Sequence, residues 1–187
     1  MNHYFEIRIR PDPEFSETML LGALISKLHR GLVAIQASDI GISFPEHRTH
    51  PRSLGGLLRI HGERSRLEAL NANDWLVGMR DHVTTTEIQP IPAQAQHRVV
   101  KRCQYKTSAE RLRRRRMRRH RENYEEAQRC IPNSVERRVE TPFVMLHSRS
   151  TGHTFSLFVE HGDLCPSPVP GAFNAYGLSK VATVPWF

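Results

Sequence analysis

A run of arginines in the second half of the chain is the feature that most limits how this sequence can fold. Eight arginines fall within residues 111–121, with only two large apolar side chains among them. Thr107 and Glu110 have the spacing of a capping box, which predicts a helix over residues 108–120. Such a helix lacks the apolar stripe at i, i+3, i+4 and i+7 that a helix packed on a core displays. We therefore expect a partner outside the protein to neutralise its charge.

The chemistry of arginine points to nucleic acid as that partner. A guanidinium makes two parallel hydrogen bonds to a phosphate or to the O6/N7 edge of guanine. The formal net charge of the chain is +8, and twelve of its 27 lysines and arginines lie between Arg98 and Arg121. A solvated charge run or a disordered basic tail is the alternative. The position of the run inside the chain, behind a helix-start signal, favours the nucleic-acid interpretation.

Membrane and secreted classes do not fit the sequence. It contains no run of about 18 apolar residues of the kind that spans a bilayer, and its first residues show no apolar core of a signal peptide. Three cysteines, Cys103, Cys130 and Cys165, are widely spaced and lie outside any Cys-x-x-Cys motif. We expect them to be reduced thiols in a cytoplasmic protein.

Alternating and helical periods predict one domain over residues 1–92. In chain order, its predicted elements are strand 4–10, helix 16–36, strand 40–44, strand 57–61, a helix capped by Ser65 that continues towards Met79, and strand 83–88. This β-α-β-β-α-β order is the ferredoxin-like arrangement, which the RNA-recognition motif shares. The strand at 57–61 lacks the aromatic residues that stack bases in that motif. We therefore do not expect RNA to bind this sheet in that manner.

The second half predicts a smaller α+β domain over residues 93–187 that carries the arginine helix. A proline-containing segment over 90–96 predicts the linker between the two domains. Short strands are predicted at 143–146 and 155–159, and a helix at 124–130. The predicted fold class is therefore α+β throughout.

Metal-dependent chemistry is not favoured by the motifs. The eleven histidines include no His-Glu-x-x-His and form no Cys/His quartet with zinc spacing. No phosphate-binding Gly-x-x-x-x-Gly-Lys motif and no carboxylate cluster for two magnesium ions is present. We therefore expect no metal and no cofactor. If the protein cuts RNA, the 2′-hydroxyl is the available nucleophile and histidine its natural proton acceptor. Spacing alone does not choose among the histidines.

Five stretches spread over the whole chain carry a recognisable pattern. They are residues 3–15, Lys27–Arg30, Glu110–His120, Ser148–Gly152, and the closing pair Tyr176–Lys180 and Val184–Phe187. In these stretches the chain resembles the CRISPR-RNA-processing endoribonuclease of the subtype I-F systems, the Csy-type branch of the Cas-six superfamily. The resemblance implies a ferredoxin-like N-terminal domain and a smaller C-terminal domain that presents the arginine helix.

The same resemblance implies a substrate and a reaction. The substrate is the stem-loop of the CRISPR repeat transcript, cut at the 3′ base of its stem. The products are a 2′,3′-cyclic phosphate and a 5′-hydroxyl, and the protein stays bound to the cleaved hairpin. The resemblance also implies that the protein acts as a monomer on its RNA and joins an RNA-guided surveillance complex.

Site residues follow from the resemblance position by position. His29 corresponds to the catalytic histidine, Ser148 to the serine that holds the ribose, and Tyr176 to the tyrosine that orients the histidine. Arg102 and Gln104 correspond to residues that read bases in the major groove. Phe155 corresponds to the aromatic ring beneath the last base pair, and Ser150 to a neighbouring contact. The helix residues expected on phosphates or groove edges are Arg115, Arg118 and Arg119. Without the resemblance, His29 would be an ordinary helix-end histidine, Phe155 a core residue, Ser148 a turn residue and Tyr176 a buried ring.

Two other functions remain open at this point. A non-cleaving RNA-hairpin-binding subunit would keep the arginine helix but would not need His29, Ser148 and Tyr176 together. A DNA-binding protein would use the basic helix in a wide major groove.

Overall fold

The computed structural model describes residues 1–105, 109–135, 139–148 and 152–187. Contacts divide the chain into a larger unit, Met1–Cys103 with Thr141–Phe187, and a smaller unit, Gln104–Glu140. Helices and antiparallel sheets occur together, which confirms the predicted α+β class. The domain boundary after residue 92 stays a prediction.

The first sheet of the larger unit is built from the alternating segments of the N-terminal half. Its elements are β1 (His3–Ile9), α1 (Glu17–Ala34), β2 (Gly41–Ser43), β3 (Leu57–Gly62), α2 (Arg64–Asn71), β4 (Val83–Thr85) and β5 (Gln89–Pro90). The strand order is β2-β3-β1-β4, and β5 also pairs with β1. All of these pairs are antiparallel. Up to β4 the elements follow the predicted order. The predicted linker begins at Pro90, but this residue is part of β5 and therefore belongs to the sheet.

The second sheet of the larger unit has four antiparallel strands in the order β7-β8-β6-β9. Its strands are β6 (Gln96–Cys103), β7 (Phe143–His147), β8 (Thr154–Cys165) and β9 (Thr183–Trp186). The strand predicted at 155–159 is therefore longer than expected. β8 continues to Cys165 because its second half pairs with the antiparallel strand β6, and the last pair joins Cys165 to His97.

Helix α1 joins the two sheets through its buried face. Ser16 caps its first turn by accepting a hydrogen bond from the backbone N–H of Met19. Residues from Leu20 to Leu32 at helical spacing form a continuous core with apolar side chains of both sheets. The helix contacts β7, and a Cβ on Gly22 would lie only 2.5 Å from the carbonyl oxygen of Met145. Glycine at this position therefore permits the close approach of α1 and β7.

The predicted second helix was wrong at both ends. The cap position is occupied by Glu63 and not by Ser65, and no side-chain hydrogen bond caps α2. The helix ends at Asn71, because Asp74 (φ +46°) and Gly78 (φ +73°) adopt left-handed backbone conformations that a right-handed helix cannot contain. The apolar residues that suggested a longer helix lie in these turns, and Trp75 is buried although it is not in a helix.

The smaller unit contains α3 (Ala109–His120) and α4 (Tyr124–Cys130). The predicted cap at Thr107 and the predicted first helical residue, Ser108, lie outside the described residues. Arg121 has φ +54° and ends α3, and Asn123 forms a capping box with Glu126 that begins α4. Within the described ranges, neither these helices nor those of the larger unit combine the length and apolarity needed to cross a bilayer.

Candidate active site

One cavity in the larger unit collects several of the predicted site residues. It has a volume of about 250 Å³ and is bordered by α1, the end of β7, the start of β8 and the loop before β9. Four of its lining residues were predicted: His29, Ser148, Phe155 and Tyr176. The others were not: Ser26, Arg30, Leu146 and His147. The only feature of the sequence that could have indicated His147 is its position directly before Ser148.

His29 is held at two points in this cavity. Its Nδ1 lies 2.8 Å from the carbonyl oxygen of Ala175. A carbonyl oxygen only accepts hydrogen bonds, so Nδ1 carries the proton in this contact, and in the neutral ring Nε2 keeps its lone pair. The ring also stacks on Tyr176, with centroids 4.3 Å apart and planes inclined by 9°. The half-buried imidazole is thus oriented with Nε2 as its basic atom.

The loop that carries Tyr176 is fixed by its own hydrogen bonds. Asn174 Oδ1 accepts from the backbone N–H groups of Tyr176 at 2.8 Å and Leu178 at 3.3 Å. The N–H of Ile42 in β2 donates to the carbonyl oxygen of Gly177 at 2.9 Å. Gly177 has φ +71°, and a Cβ there would lie 2.9 Å from Ile42 Cγ2. A residue with a side chain would disturb both the turn and its contact with the sheet.

Ser148 directly follows the last residue of β7. Its N–H donates to the carbonyl oxygen of His153 at 2.9 Å, and its own carbonyl oxygen accepts from the N–H of Gly152 at 2.8 Å. These bonds place the half-buried serine at the cavity. Ser150, predicted to contact RNA, lies outside the described residues.

Arg102, one of the two predicted base readers, reaches the rings of the same cavity. Its guanidinium carbon lies 5.4 Å from the centre of the Phe155 ring and 5.8 Å from that of Tyr176. Cations at such distances are attracted to the faces of aromatic rings. The Nε of Arg102 is buried and has no hydrogen-bond partner in the described part of the chain. The second predicted reader, Gln104, is exposed just after β6.

The arginine helix has an inner stripe that the sequence pattern did not predict. Residues at i, i+3, i+4, i+7 and i+8 are buried or half-buried: Ala109, Leu112, Arg113, Arg116 and Met117. Arg113 is only 4% exposed. It donates to the carbonyl oxygen of Ile131 at 2.8 Å and to Asn133 Oδ1 at 2.6 Å. The guanidinium therefore fastens α3 to the segment that follows α4, which explains how a buried cation is tolerated.

Other arginines of α3 find carboxylates within the chain. Arg116 makes two parallel hydrogen bonds to Glu122, at 2.6 and 2.8 Å. This contact raises the pKa of Arg116 and lowers the pKa of Glu122. Arg114 pairs with Glu110 at 3.0 Å. The expectation that the charge of this helix is neutralised from outside is therefore wrong for Arg114 and Arg116.

The three helix arginines predicted to bind RNA lie on the opposite, solvent-facing side of α3. Arg115, Arg118 and Arg119 are all exposed. Among the residues that the structure describes, none of the three takes part in an ion pair. Their charges are directed away from the contacts that hold the helix.

Comparison with known proteins identifies the family. A family model described as CRISPR-associated protein (Cas_Csy4) matches residues 4–187. The chain belongs to the Cas_Csy4 family. It is 48% identical over 187 residues to the CRISPR-associated endonuclease Cas6/Csy4 of Pseudomonas aeruginosa (strain UCBPP-PA14), with 100% of both chains covered. It is 43% identical over 187 residues, with the same coverage, to the CRISPR-associated endonuclease Cas6/Csy4 of Escherichia coli (strain UTI89 / UPEC).

A solved RAMP protein that binds different RNA substrates matches 98% of this chain and 99% of its own, with a TM-score of 0.35 and 12% sequence identity. That likeness is too weak to support an argument about this member of the Cas_Csy4 family.

Other histidines of this Cas_Csy4 member are structural. His47, in the segment after β2, stacks on His161 of β8 with ring centroids 3.7 Å apart, and His161 also contacts Trp186 in an edge-to-face arrangement. Burial lowers the pKa of His161 to about 2 and also lowers the pKa of His47. His61, fully buried, lies with Nε2 2.8 Å from Ser43 Oγ, and burial lowers its pKa to about 3. Within the described ranges, no three His, Cys, Asp or Glu side chains are grouped so as to hold a metal ion.

A larger cavity, of about 540 Å³, contains none of the predicted site residues of this Cas_Csy4 protein among its described lining residues. Much of its lining is apolar, including Pro168, Val169 and Pro170. Its two carboxylates already have partners: Asp39 pairs with Arg66 at 2.8 Å, and Glu63 pairs with the terminal amine at 2.7 Å. The cavity at His29 is therefore the candidate active site.

Proposed function

We propose that this chain is a metal-independent endoribonuclease that matures CRISPR RNA. It binds the stem-loop of the CRISPR repeat and cleaves the precursor at the 3′ base of the hairpin. The products are a 2′,3′-cyclic phosphate and a 5′-hydroxyl, and the protein remains on its product as a subunit of an RNA-guided surveillance complex. Membership of the Cas_Csy4 family and relatives named CRISPR-associated endonucleases support the proposal.

The observation that carries the proposal is the orientation of His29. With Nδ1–H bonded to the carbonyl oxygen of Ala175 and the ring stacked on Tyr176, the lone pair of Nε2 is available to accept a proton. Ser148 lines the same cavity. In the proposed reaction Nε2 removes the proton of the 2′-hydroxyl, Ser148 holds that ribose, and the 2′-oxygen attacks the adjacent phosphorus. Tyr176 keeps the imidazole in its orientation.

RNA binding is divided between the cavity and the helix. Phe155 stacks beneath the last base pair of the stem, and Arg102 places its guanidinium on a guanine edge there. The contact of Arg102 with the Phe155 ring and its unpaired buried Nε support this role. Gln104 reads the adjacent base in the major groove, and Ser150 adds a neighbouring contact. Arg115, Arg118 and Arg119 bind phosphates or groove edges, as their exposure on α3 permits.

We interpret the first sheet, with α1 and α2, as the predicted ferredoxin-like domain. The strand order β2-β3-β1-β4 with antiparallel neighbours supports this interpretation. The C-terminal domain of the proposal comprises the second sheet and the arginine helix. In this arrangement the catalytic base and the RNA-binding helix belong to different domains.

The test is whether the purified protein, in EDTA, cleaves the CRISPR-repeat hairpin of the organism that encodes it. Three RNAs are compared: all-ribose, a single 2′-deoxy substitution at the nucleotide before the cut, and a control with the substitution two nucleotides further upstream. We expect one cut in the all-ribose and control RNAs and none in the RNA without the attacking hydroxyl. End-group analysis should find a 2′,3′-cyclic phosphate.

Each other outcome has a definite meaning. Cutting of the RNA that lacks the attacking hydroxyl would exclude attack by the 2′-oxygen. Activity that disappears in EDTA and returns with magnesium would contradict metal independence. Tight hairpin binding without any cut would assign the chain to the alternative, a non-catalytic RNA-hairpin-binding subunit.

A further inference from the structure

The proposed cleavage requires a proton donor that the predicted site residues do not supply. When the 2′-oxygen attacks phosphorus, the bond from phosphorus to the 5′-oxygen breaks, and that oxygen leaves most easily if it receives a proton. Attack and departure occur on opposite sides of the phosphorus atom. His29, oriented to take the 2′-proton, therefore does not reach the leaving oxygen in the same step. A second group is needed on the far side of the phosphate.

We propose that His147 is this general acid, an inference that rests on the endoribonuclease function proposed above. His147 lines the same cavity of about 250 Å³ as His29. It is the last residue of β7, paired with Thr154 of β8, and it precedes Ser148. The side chain is exposed, whereas that of Leu146 before it is buried. His147 is thus part of the cavity lining and accessible from solvent, so a phosphate that enters the cavity can approach it.

Two other polar residues of the cavity, Arg30 and Tyr176, are less suited to the task. Arg30 carries a guanidinium, which keeps its protons at neutral pH and acts only through its charge. Its Nη1 also donates to the carbonyl oxygen of Ser26, at 2.9 Å. The ring of Tyr176 is already stacked on the imidazole of His29, the proposed proton acceptor. Histidine is the side chain whose two protonation states are both populated near neutrality.

The proposed step balances with two histidines. The 2′-hydroxyl proton moves to Nε2 of neutral His29 while the bond between the 2′-oxygen and phosphorus forms. The bond from phosphorus to the 5′-oxygen breaks with its electron pair on oxygen, which takes a proton from the imidazolium of His147. His29 ends protonated and His147 neutral, and exchange with water restores both. Nothing is oxidised or reduced, and no co-reactant is required.

A hairpin RNA with sulfur in place of the 5′-bridging oxygen tests the assignment. A thiolate leaves readily without a proton, so removal of the general acid should matter for the oxygen substrate and not for the sulfur substrate. We compare the wild-type protein with His147→Ala, His29→Ala and His153→Ala under single-turnover conditions. His153 is an exposed histidine at the neighbouring end of β8 that does not line the cavity, so its variant is the matched control.

For His147→Ala we expect a loss of about 10²–10⁴-fold on the oxygen substrate and a rate near wild type on the sulfur substrate. His29→Ala should be defective on both substrates, and His153→Ala should equal the wild type on both. Hairpin affinity and the circular dichroism spectrum of His147→Ala serve as checks on binding and folding.

Two results would overturn the inference. Full activity of His147→Ala on the oxygen substrate would leave His147 without a catalytic role. An equal loss on both substrates would limit it to an electrostatic or structural contact. Failure of the wild-type protein to cut either RNA would instead reject the endoribonuclease proposal itself, so the two failures are distinguishable.

Discussion

Helices α1 and α3 carry the proposed functional side chains by opposite means. Helix α1 packs a continuous apolar face into the core and presents His29, held by the carbonyl oxygen of Ala175 and the Tyr176 ring. Helix α3 is held by a few polar contacts, chiefly those of Arg113, and leaves Arg115, Arg118 and Arg119 exposed. A group that transfers a proton requires a fixed position, whereas phosphate binding tolerates mobile side chains with a permanent charge.

The largest effect that separates the two helices should come from His29→Ala. We expect the single-turnover cleavage rate to fall by about 10²–10⁴-fold, because the proton acceptor is removed. Hairpin affinity should change by only a few fold, since phosphate contacts on α3 are untouched. Rapid-quench cleavage and filter binding measure the two quantities. Normal cleavage by this variant, or loss of affinity in proportion to rate, would break the division of labour between the helices.

The next largest effect concerns how α3 is held. Arg113→Ala removes a buried guanidinium and leaves the Ile131 carbonyl oxygen and Asn133 without their donor, which should cost about 1.5–3 kcal/mol of local stability. Arg114→Ala is the matched control, because its pair with Glu110 is exposed and of the i,i+4 type, worth about 0.3–0.5 kcal/mol. Hydrogen exchange of α3 and α4 measures the difference. Equal protection in both variants would show that Arg113 does not fasten the helix.

A smaller effect is expected from the outward-facing arginines. Replacing Arg115 and Arg119 together by alanine should weaken hairpin binding and flatten the plot of log K against log salt by about 0.7–0.9 per lost phosphate contact. A double replacement of Arg64 and Arg80 removes the same charge from exposed pairs of the larger unit and should leave the slope unchanged. If both double variants change the slope alike, α3 supplies net charge and no specific phosphate contacts.

The smallest predicted effect is a dependence on pH in the larger unit. Burial lowers the pKa of His61 to about 3, so the folded protein keeps this ring neutral while the unfolded chain protonates it below pH 6.5. Stability is therefore full above pH 6.5 and is lost as the pH falls below it. Between pH 7 and pH 6, His61 alone should lower the free energy of unfolding by about 0.7 kcal/mol.

Urea denaturation of the wild type and of His61→Gln at the two pH values measures this effect, because His47 and His161, whose pKa values are also lowered, contribute to both proteins. The carboxylates with shifted pKa values are all shifted downwards, so they stay ionised over this interval and do not mask the histidine. The arginines of α3 keep their charge throughout. An equal loss of stability on acidification in the wild type and in His61→Gln would contradict the assignment of His61 as a buried neutral ring.

The parts of the fold that depend on local pattern were predictable from the sequence. The strand at His3–Ile9 and helix α1 follow from alternation and from the leucine spacing, because a single side-chain period determines which face is buried. The end of α2 was not predictable in this way. It depends on left-handed backbone at Asp74 and Gly78, and the apolar residues beyond it are buried from turns.

The candidate site shows the same limit more clearly. Spacing does not distinguish His29 from the other histidines; only the family resemblance selected it, and its proposed role stays to be tested. The burial of Arg113 depends on Ile131 and Asn133, and the stack of His47 on His161 joins residues far apart in the chain. Such contacts are set by tertiary packing, which a single sequence does not display.

The close contact of Gly22 with β7 keeps the two sides of the cavity together. His29 lies seven residues further along α1, about two helical turns, and Ser148 lies three residues beyond Met145. A methyl group at position 22 would press on the Met145 carbonyl oxygen and wedge the helix away from the strand. The two halves of the cavity would then separate without any change in a residue that lines it. Among randomly substituted variants that keep their activity, we therefore expect position 22 to remain glycine while residues that line the cavity vary.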